Sequence, residues 1–247
     1  MKALILAAGR GTRIRSIHGE RPKCLISFEG EAILDHQING LFAAGIREIG
    51  IVVGYESQQI VRHIETRYRE YRHRFSFIYN PKFEATNNIY SLWVARDWIR
   101  GDAFMCLNAD VLCTPDILIR GARTTAPISM IIDPDWRDET MKVIIREGRV
   151  VKMSKKISRD EFSGTYIGIT TFSFEAQQEF FQSLDRLVGE GRVNEFFNVA
   201  VQDLADSGMQ VGFTSTKGFP WAEIDDPADL AFASEHVFPK LAYPKAA

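Results

Sequence analysis

A glycine-rich segment near the N-terminus reads Leu6-Ala7-Ala8-Gly9-Arg10-Gly11-Thr12-Arg13 and directly follows a continuous apolar run, Lys2–Ala7. An apolar run of this length without alternation predicts a buried strand. Glycines let the chain turn sharply and bring backbone N–H groups against phosphate oxygens, while Arg10 and Arg13 can add charge-assisted hydrogen bonds. The segment Leu6 to Arg13 therefore predicts a loop that binds a nucleoside triphosphate.

Lys23 follows this loop and can supply a second positive charge to the phosphates. It comes after Pro22, which stiffens the chain, and before the apolar residues 24–26, which hold it close to the sheet. A dinucleotide-binding loop is the competing interpretation, but it requires a third glycine where this chain has Ile14. The polar, turn-rich segment 16–23 also does not suit the helix that such a loop enters.

Strand-length apolar runs alternate with helical patterns in the first half of the chain, which predicts parallel strands joined by crossover helices. Predicted strands cover 2–7, 48–53, 75–79, 103–107, 128–132, 141–146, 149–153, 166–172, 211–214 and 221–224. Predicted helices cover 32–44, 58–71, 89–99, 174–187 and 194–207, and a last helix begins near Pro227. The predicted fold class is α/β: a three-layer, Rossmann-like mixed and mostly parallel sheet with helices on both faces and a small β-rich C-terminal elaboration. We predict one domain over 1–247, in which 1–127 form a nucleotide-binding half and 128–247 an acceptor-binding half.

The composition argues against several classes of protein. The 247 residues are 45% hydrophobic and carry a net charge of −2, without the basic patch that binding to nucleic acid requires. No apolar run reaches the roughly 18 residues of a membrane helix, so we expect no membrane partner. Cys24, Cys106 and Cys113 lack the spacing of a zinc site or a disulfide framework, which favours reduced thiols and a cytoplasmic location.

Two aspartates follow strand-like segments and are candidate metal ligands. Asp110 comes after the predicted strand 103–107, and Asp225 after the extended segment 221–224. Open α/β sheets bind ligands beyond the carboxyl ends of their strands, and Mg²⁺ is held by one or two carboxylates plus phosphate oxygens. Pro227 suits a first helical turn with Asp226 as its cap, which leaves Asp225 free for the site. The alternatives are that Asp110 caps the helix after Thr114, and that Asp225 and Asp226 both only cap the helix that begins at Pro227.

Together, the loop 6–13 and Pro22-Lys23 resemble the signature of the nucleotidyltransferases that make activated sugars and alcohols. That family includes glucose-1-phosphate thymidylyltransferases and choline-phosphate cytidylyltransferases, and the resemblance runs through nearly the whole chain. It implies a nucleoside triphosphate over the first loop, Mg²⁺ as cofactor, and metal ligands at Asp110 and Asp225. The catalytic residues that it implies are Arg13, Lys23, Asp110 and Asp225.

The segment Thr86-Asn87-Asn88-Ile89-Tyr90-Ser91 is the candidate base-binding region. Amide side chains can read a base through fixed donors and acceptors, although one of the two asparagines also suits a helix cap. A similar sequence segment in choline-phosphate cytidylyltransferases favours CTP over dTTP as the nucleotide substrate. The resulting nucleotide contacts are Asn87, Asn88, Ser91 and Asn108, in addition to the loop and Lys23.

The acceptor-binding residues are harder to identify. The segments around Lys155-Lys156 and Tyr166 resemble the middle of aminoethylphosphonate and related small-acceptor cytidylyltransferases, so either lysine can bind the acceptor's phosphate or phosphonate. Glu195 and Glu223 are candidates for an acceptor ammonium group, and Phe197 for an aromatic cage. The missing cage partners argue against choline phosphate as the best acceptor.

The sequence thus predicts a Mg²⁺-dependent nucleotidyltransferase that transfers CMP from CTP to a small phosphorylated or phosphonylated alcohol or amine and releases pyrophosphate. No general base is required, because the phosphate of the acceptor is already nucleophilic. The alternatives are a sugar-1-phosphate nucleotidyltransferase, a catalytically inactive regulatory or binding domain of the same fold, and a dinucleotide oxidoreductase. A homo-oligomer is left open.

Overall fold

The structure, a computed structural model, describes residues 1–241, and for Arg15 and His18 only the backbone. The strands are β1 Lys2–Ala7, β2 Ser27–Phe28, β3 Glu31–Ala32, β4 Ile49–Val53, β5 Phe75–Tyr79, β6 Phe104–Asn108, β7 Val111–Cys113, β8 Ile128–Asp133, β9 Lys142–Arg146, β10 Arg149–Ser154, β11 Gly164–Phe172, β12 Val211–Ser215 and β13 Trp221–Glu223. The α-helices are α1 Arg15–His18, α2 Ile33–Ala43, α3 Ser57–Arg67, α4 Asn88–Val94, α5 Arg96–Ile99, α6 Pro115–Ala122, α7 Phe174–Gly189, α8 Asn198–Asp206 and α9 Pro227–Phe232. Short 3₁₀ turns occur at Thr12–Ile14, Lys23–Leu25, Arg69–Arg74 and Phe238–Lys240, and a π-helical turn at Ala233–Val237.

The main sheet has the strand order β10-β9-β11-β6-β1-β4-β5, and β8 pairs with both β11 and β12. Strands β5, β4, β1 and β6 are parallel, whereas β11 runs antiparallel to β6. Because β1 and β6 are neighbours, with Leu6 opposite Asn108, the segments that follow them emerge side by side. The glycine-rich loop and Asp110 are thereby brought to one edge of the sheet.

Two hydrophobic cores lie on opposite faces of this sheet. Alternate residues of β1 divide between them, because successive side chains of a strand point to opposite faces. Ala3 and Ile5 pack in the core that contains α2, α3 and α6, whereas Leu4 packs in the core that contains α4, α7 and α8. This three-layer arrangement confirms the predicted fold class.

A third hydrophobic core is smaller than the other two. It joins the ribbon formed by β7 and β13 to the hairpin β2–β3 and to the segment after α9, through residues that include Leu112, Ile224 and Val237. The sequence analysis did not predict β7 or the hairpin β2–β3, because each is only two or three residues long.

Three predicted helices have different bounds in the structure. The helix predicted over 58–71 ends at Arg67, the one over 89–99 is interrupted at Ala95, and the one over 194–207 begins at Asn198. The late start of α8 has a clear cause, since the carbonyl groups of residues 193 and 195 accept hydrogen bonds from the backbone at the start of α4. The residues before Asn198 therefore hold the start of α4 through backbone hydrogen bonds and do not form a helical turn.

Within residues 1–241, no helix is both long enough and apolar enough to cross a membrane. All three cysteines are buried and free, and burial raises the pKa of each thiol.

Candidate active site

The glycine-rich loop leaves β1 at Ala7 and turns beneath the mouth of a large cavity. Gly11 has a φ of 58°, a left-handed conformation that glycine adopts without strain. The carbonyl of Ala8 accepts a hydrogen bond from the backbone N–H of Tyr55 at 3.0 Å, which anchors the start of the loop. The backbone N–H groups of Gly9 and Arg10 donate to no other residue of the described chain, so they are available to an anion.

At the floor of the cavity, the ammonium group of Lys23 lies between two carboxylates. Its Nζ donates to Oδ2 of Asp110 at 2.6 Å and to Oδ1 of Asp225 at 2.7 Å. Arg13 Nη2 lies 2.7 Å from the other oxygen of Asp225. Residues that are far apart in the chain therefore form one charged cluster, with the Lys23 side chain only 15% exposed.

The charges of this cluster shift its pKa values. Burial disfavours the charged form of Lys23, but the carboxylates of Asp110 and Asp225 outweigh it and raise the Lys23 pKa. Burial likewise works to raise the pKa of Asp225, but Lys23 and Arg13 lower it overall. Glu223 is raised to a pKa of about 8 by burial and by the charges of Asp110 and Asp225. Burial and the two neighbouring carboxylates thus both favour the neutral form of Glu223.

The ribbon β7–β13 places the two aspartates side by side. Glu223 pairs with Val111, and the backbone N–H of Ile224 donates to the carbonyl of Asp110 at 3.0 Å. The buried amide of Gln37 donates to the carbonyls of Asn108 and Val111, which fixes the turn that carries Asp110. The ribbon therefore couples the end of β6 to a segment near the C-terminal end of the chain.

The helix that follows is capped as the sequence predicted. Asp226 accepts hydrogen bonds from the backbone N–H groups of Ala228 and Asp229, and Asp229 accepts in return from the N–H of Asp226. The same Asp229 carboxylate also accepts from the N–H of Asp225 at 2.9 Å. With the cap supplied by Asp226, the carboxylate of Asp225 is left to Lys23 and Arg13.

The donor set fits a magnesium ion that is completed by phosphate oxygens. Oδ1 of Asp110 is buried and has no hydrogen-bond partner among the described residues, although its other oxygen binds Lys23. No group of three or more His, Cys, Asp or Glu side chains in residues 1–241 is arranged to hold a metal alone. Mg²⁺ typically uses one or two protein carboxylates and takes its remaining ligands from substrate phosphates and water.

The part of the cavity near the start of α4, predicted to bind the base, is lined by the polar residues Asn80, Thr86, Asn87, Asn88 and Ser91. Asn87 caps α4, since its Oδ1 accepts from the N–H of Asn88, and the Oδ1 of Asn88 accepts from the N–H of Phe197 at 2.8 Å. Both amide oxygens are therefore occupied, and the NH₂ groups remain as donors. Asn80 was not predicted, although it directly follows β5, where the same strand-end rule applies.

Lys155, Tyr166 and Glu223, three of the residues predicted to bind the acceptor, also line the cavity. Lys155 lies close enough to Glu223 to lower its pKa, against the opposing effects of burial and of the two aspartates. Trp136, Arg137 and Phe196 line it too, and the sequence analysis missed them. The segment that carries Trp136 and Arg137 has no periodic pattern that could have indicated its place.

Other predicted contacts lie outside the cavity. Phe197 is 1% exposed and packs against Phe180, so its neighbour Phe196 is the ring that lines the site. Glu195 forms an ion pair with Arg192 at 2.7 Å. The exposed Lys156 is not part of the wall, and Arg10 at the rim pairs with Glu84. The remaining predicted residues, Leu6, Ala7, Ala8, Gly9, Gly11, Thr12, Arg13, Lys23, Asn108, Asp110 and Asp225, all line the cavity.

A glycine-rich loop after the first strand, with a lysine and two carboxylates close by, is the arrangement expected of a nucleotidyltransferase. Comparison with known families is consistent with this class, because residues 3–166 match the MobA-like NTP transferase domain. The chain belongs to that family, which generally uses a divalent metal.

Several characterised proteins are similar over most of this chain. The CTP:phosphoglutamine cytidylyltransferase of Campylobacter jejuni is 26% identical, over 93% of this chain and 98% of the relative. A CMP-5'-(3-aminopropyl)phosphonate synthase of Streptomyces rubellomurinus is 26% identical over 93% of this chain, which spans 37% of that protein. The glucose-1-phosphate thymidylyltransferase of Streptomyces griseus, also 26% identical, is matched over 93% of this chain and 64% of its own length. The inositol-1-phosphate CTP transferase of T. maritima shares the fold with a TM-score of 0.79 at 22% identity, over 92% of this chain and 90% of that one.

Proposed function

We propose that the chain transfers CMP from CTP to a small phosphorylated or phosphonylated alcohol or amine and releases pyrophosphate. The observation that carries this proposal is the Asp110–Lys23–Asp225 cluster at the floor of a cavity of about 1180 Å³. The glycine-rich loop lines the same cavity, as do Lys155, Tyr166 and Glu223, which we assign to the acceptor. Two phosphate-bearing substrates can thus meet over one set of charges.

The triphosphate is bound by the loop, Arg13 and Lys23. Phosphoryl transfer needs in-line positioning and neutralisation of charge more than covalent help from the protein. The free N–H groups of Gly9 and Arg10 suit phosphate oxygens, and Lys23 stays positively charged because two carboxylates hold its pKa high. As an oxygen of the acceptor attacks the α-phosphorus, the bond to the β-phosphate oxygen breaks and these cations neutralise the departing pyrophosphate.

Asp110 and Asp225 are the residues that would hold Mg²⁺. When bound, the ion supplies Lewis-acid stabilisation of the charge that develops on the phosphates. Oδ1 of Asp110 has no hydrogen-bond partner among the described residues and is open to a cation. The oxygens of Asp225, whose pKa Lys23 and Arg13 lower against the effect of burial, would exchange a contact with one of these side chains for the metal. No side chain is needed as a general base, because the acceptor oxygen carries negative charge already.

The amide donors at the nucleotide end favour cytosine. Cytosine offers acceptors at both O2 and N3, whereas uracil and thymine carry a hydrogen on N3. The side-chain oxygens of Asn87 and Asn88 already accept hydrogen bonds from backbone N–H groups, so their NH₂ groups are left as donors to a base. A fixed donor set leaves polar groups unpaired when the wrong base enters, which is how such sites discriminate. The similarity to CTP-dependent relatives supports the same choice.

Choline phosphate is not the expected acceptor, because the aromatic rings at that end already face cations of the chain. Trp136 is flanked by Lys142 and Arg159, with the nitrogen or guanidinium carbon 4.5 and 4.8 Å from the ring centroid. Phe196 lies 5.4 Å from the ammonium of Lys155. An external quaternary ammonium group would have to displace these cations to gain a cation–π contact.

A matrix of the four nucleoside triphosphates against candidate acceptors tests the proposal, with pyrophosphate release as the readout. The acceptors are phosphocholine, aminoethylphosphonate, phosphoethanolamine, glycerol phosphate and hexose-1-phosphates. We expect CTP with a small phosphate or phosphonate to give the highest kcat/KM. The second candidate function, a sugar-1-phosphate nucleotidyltransferase, is favoured by the similarity to the thymidylyltransferase, and a hexose-1-phosphate with dTTP or UTP as the best pair would establish it instead.

A further inference from the structure

Arg137 stands in the cavity wall at the acceptor end, in the segment between β8 and β9. Its guanidinium carbon lies 4.0 Å from the ring centroid of Trp221 and 5.3 Å from that of Phe232. A guanidinium held flat on an aromatic ring keeps its N–H donors in one plane, ready for a planar or tetrahedral anion. Its single hydrogen bond within the described chain is a long one of 3.5 Å, to the carbonyl of Trp221.

A buried carboxylate fixes the platform on which Arg137 rests. Asp133 is 6% exposed and accepts hydrogen bonds from the indole N–H of Trp221 at 2.7 Å and from the hydroxyl of Thr216 at 2.8 Å. Its other oxygen accepts from the backbone N–H of Asp135, at the start of the segment that carries Arg137. One side chain thus positions both the ring and the arginine above it.

The positive charge of Arg137 is not compensated by the protein. No carboxylate in residues 1–241 forms an ion pair with it, whereas Arg13 at the opposite end of the cavity is paired with Asp225. Three acids of the same segment, Asp135, Asp138 and Glu139, line the cavity but do not reach the guanidinium. A guanidinium group that is held in place without an ion-pair partner in a substrate cavity is suited to bind an anionic group of the ligand.

Arg137 contacts the ribbon at Trp221, whereas Asp110 meets the ribbon at Ile224, so we assign the arginine to a group of the acceptor other than the reacting phosphate. Along the ribbon, Trp221 is opposite Cys113, whereas the N–H of Ile224 binds the carbonyl of Asp110. Three residues separate these positions, which corresponds to about 10 Å at roughly 3.3 Å per residue. Lys155 also lines the cavity and is the cation that we assign to the acceptor's phosphate.

We propose that Arg137 binds a carboxylate of the acceptor, so that the substrate class is a phosphorylated or phosphonylated carboxylic acid. A monoanionic carboxylate suits this end better than a second phosphate, because the three nearby acids repel a dianion more strongly. The inference rests on the proposed function, since it assumes that the acceptor's phosphate lies beside Asp110, Asp225 and Lys155.

Matched acceptors that differ only by a carboxylate test the role of Arg137. Phosphoserine is compared with phosphoethanolamine, and phosphohomoserine with phosphopropanolamine, each with CTP. We expect wild type to favour the carboxylate-bearing member of at least one pair by about tenfold or more in kcat/KM, as expected for a bidentate charge-assisted contact. Arg137→Ala should remove this preference, mainly through KM, because kcat/KM should fall about tenfold more for the member with a carboxylate than for its partner without one.

Arg159→Ala is the control, because Arg159 is an exposed arginine that also stacks on a ring but does not line the cavity. It should keep the preference. Equal use of both members by wild type, or a preference that survives in Arg137→Ala, overturns the inference while leaving the proposed function intact.

Calorimetric titration of each acceptor into the intact protein separates the two proposals. If no acceptor supports pyrophosphate release from CTP, the proposed function fails, but binding still tests Arg137. Tighter binding of the carboxylate-bearing members to wild type than to Arg137→Ala supports the contact. Equal binding to both proteins overturns it without any reference to turnover.

Discussion

Lys23 balances the charges of the active site, because its ammonium group contacts Asp110 and Asp225 at once. Removing it leaves two carboxylates facing each other in a partly buried site and takes a cation from the triphosphate. Lys23→Ala should therefore lower kcat/KM by at least about 100-fold, the scale seen when one preorganised charge is lost. The measurement is pyrophosphate release from CTP, with circular dichroism to show that the variant folds.

Lys152→Ala provides the comparison for Lys23→Ala, since Lys152 is an exposed lysine of β10 and lies outside the cavity. It should retain wild-type turnover. If Lys23→Ala also retained it, the cluster would have no part in the reaction.

The neighbouring residues Asp225 and Asp226 make different contacts in the structure. Asp225→Asn, like Asp110→Asn, should suppress turnover and raise the Mg²⁺ concentration needed for the half-maximal rate. Asp226→Asn, in contrast, changes a residue that lines the cavity but whose carboxylate caps α9 and pairs with neither Lys23 nor Arg13. It should change the free energy of unfolding by no more than about 1 kcal/mol, with an unchanged Mg²⁺ requirement. Mg²⁺ titrations of the three variants check this, and a larger metal effect at Asp226 would reassign the ligand.

At the level of elements, the start of α2 depends on a buried carboxylate. Asp35 is fully buried and accepts hydrogen bonds from the backbone N–H of Ala32, the hydroxyl of Tyr68 and the ring of His63. Burial opposes its ionisation, but the bonds from His63 and Ala32, together with the charge of Arg67, lower its pKa overall.

A carboxyl whose pKa is lower in the folded state contributes stability above its unfolded pKa, about 3.9, and loses it as the pH falls through the folded value. We therefore expect the free energy of unfolding to decrease as the pH is taken below about 4. Asp35→Asn, which should cost roughly 2–3 kcal/mol at neutral pH, should show a shallower decrease. Urea unfolding between pH 7 and pH 3 measures both slopes, and parallel slopes would exclude Asp35 as the cause.

Strand β11 contains a glycine, Gly168, beside the turn that carries Asp110. Gly168 has a φ of 84°, and a Cβ there would meet Nδ2 of Asn108 at 2.9 Å. Gly168→Ala should therefore lower both the stability and the turnover. Gly148→Ala is its control, because Gly148 has a φ of 73° with no atom near a Cβ, and it should lose only the roughly 1–2 kcal/mol of a left-handed backbone. Thermal unfolding and pyrophosphate assays on both variants decide whether the contact with Asn108 matters.

The parts of the site that lie within one sequence motif could be predicted from the sequence. The loop 6–13, Lys23 and Asp225 each carry a local pattern of turn residues, apolar flanks or caps. Arg137 carries none, because its place depends on Trp221, a residue on a strand far along the chain, and on the buried Asp133 that holds the ring. Phe196 lines the cavity in place of the predicted Phe197 for a similar reason, because contacts with α4 make α8 begin later in the chain than predicted.

At the scale of the whole molecule, both halves contribute to one cavity, so substrates should stabilise the whole chain. A ligand at about 100 times its Kd adds roughly 2.7 kcal/mol, which for a protein of this size corresponds to a rise in Tm of roughly 5–10 °C. We expect CTP with Mg²⁺ to produce such a rise in differential scanning calorimetry. The rise should be mostly lost with a metal chelator or in Asp225→Asn, and a rise that survives the chelator would exclude a role for the metal in nucleotide binding.

The pairing of Lys23 with Asp225 joins residues 202 positions apart in the chain. Ribosomes add roughly 5–20 residues per second, so about 10–40 s pass between the synthesis of the lysine and that of its second carboxylate. The parallel strands and the glycine-rich loop can form in that interval, because they lie in the part of the chain that is made first. A nascent or prematurely terminated chain that lacks residue 225 would then carry the glycine-rich loop and Lys23 without the second carboxylate of the cluster.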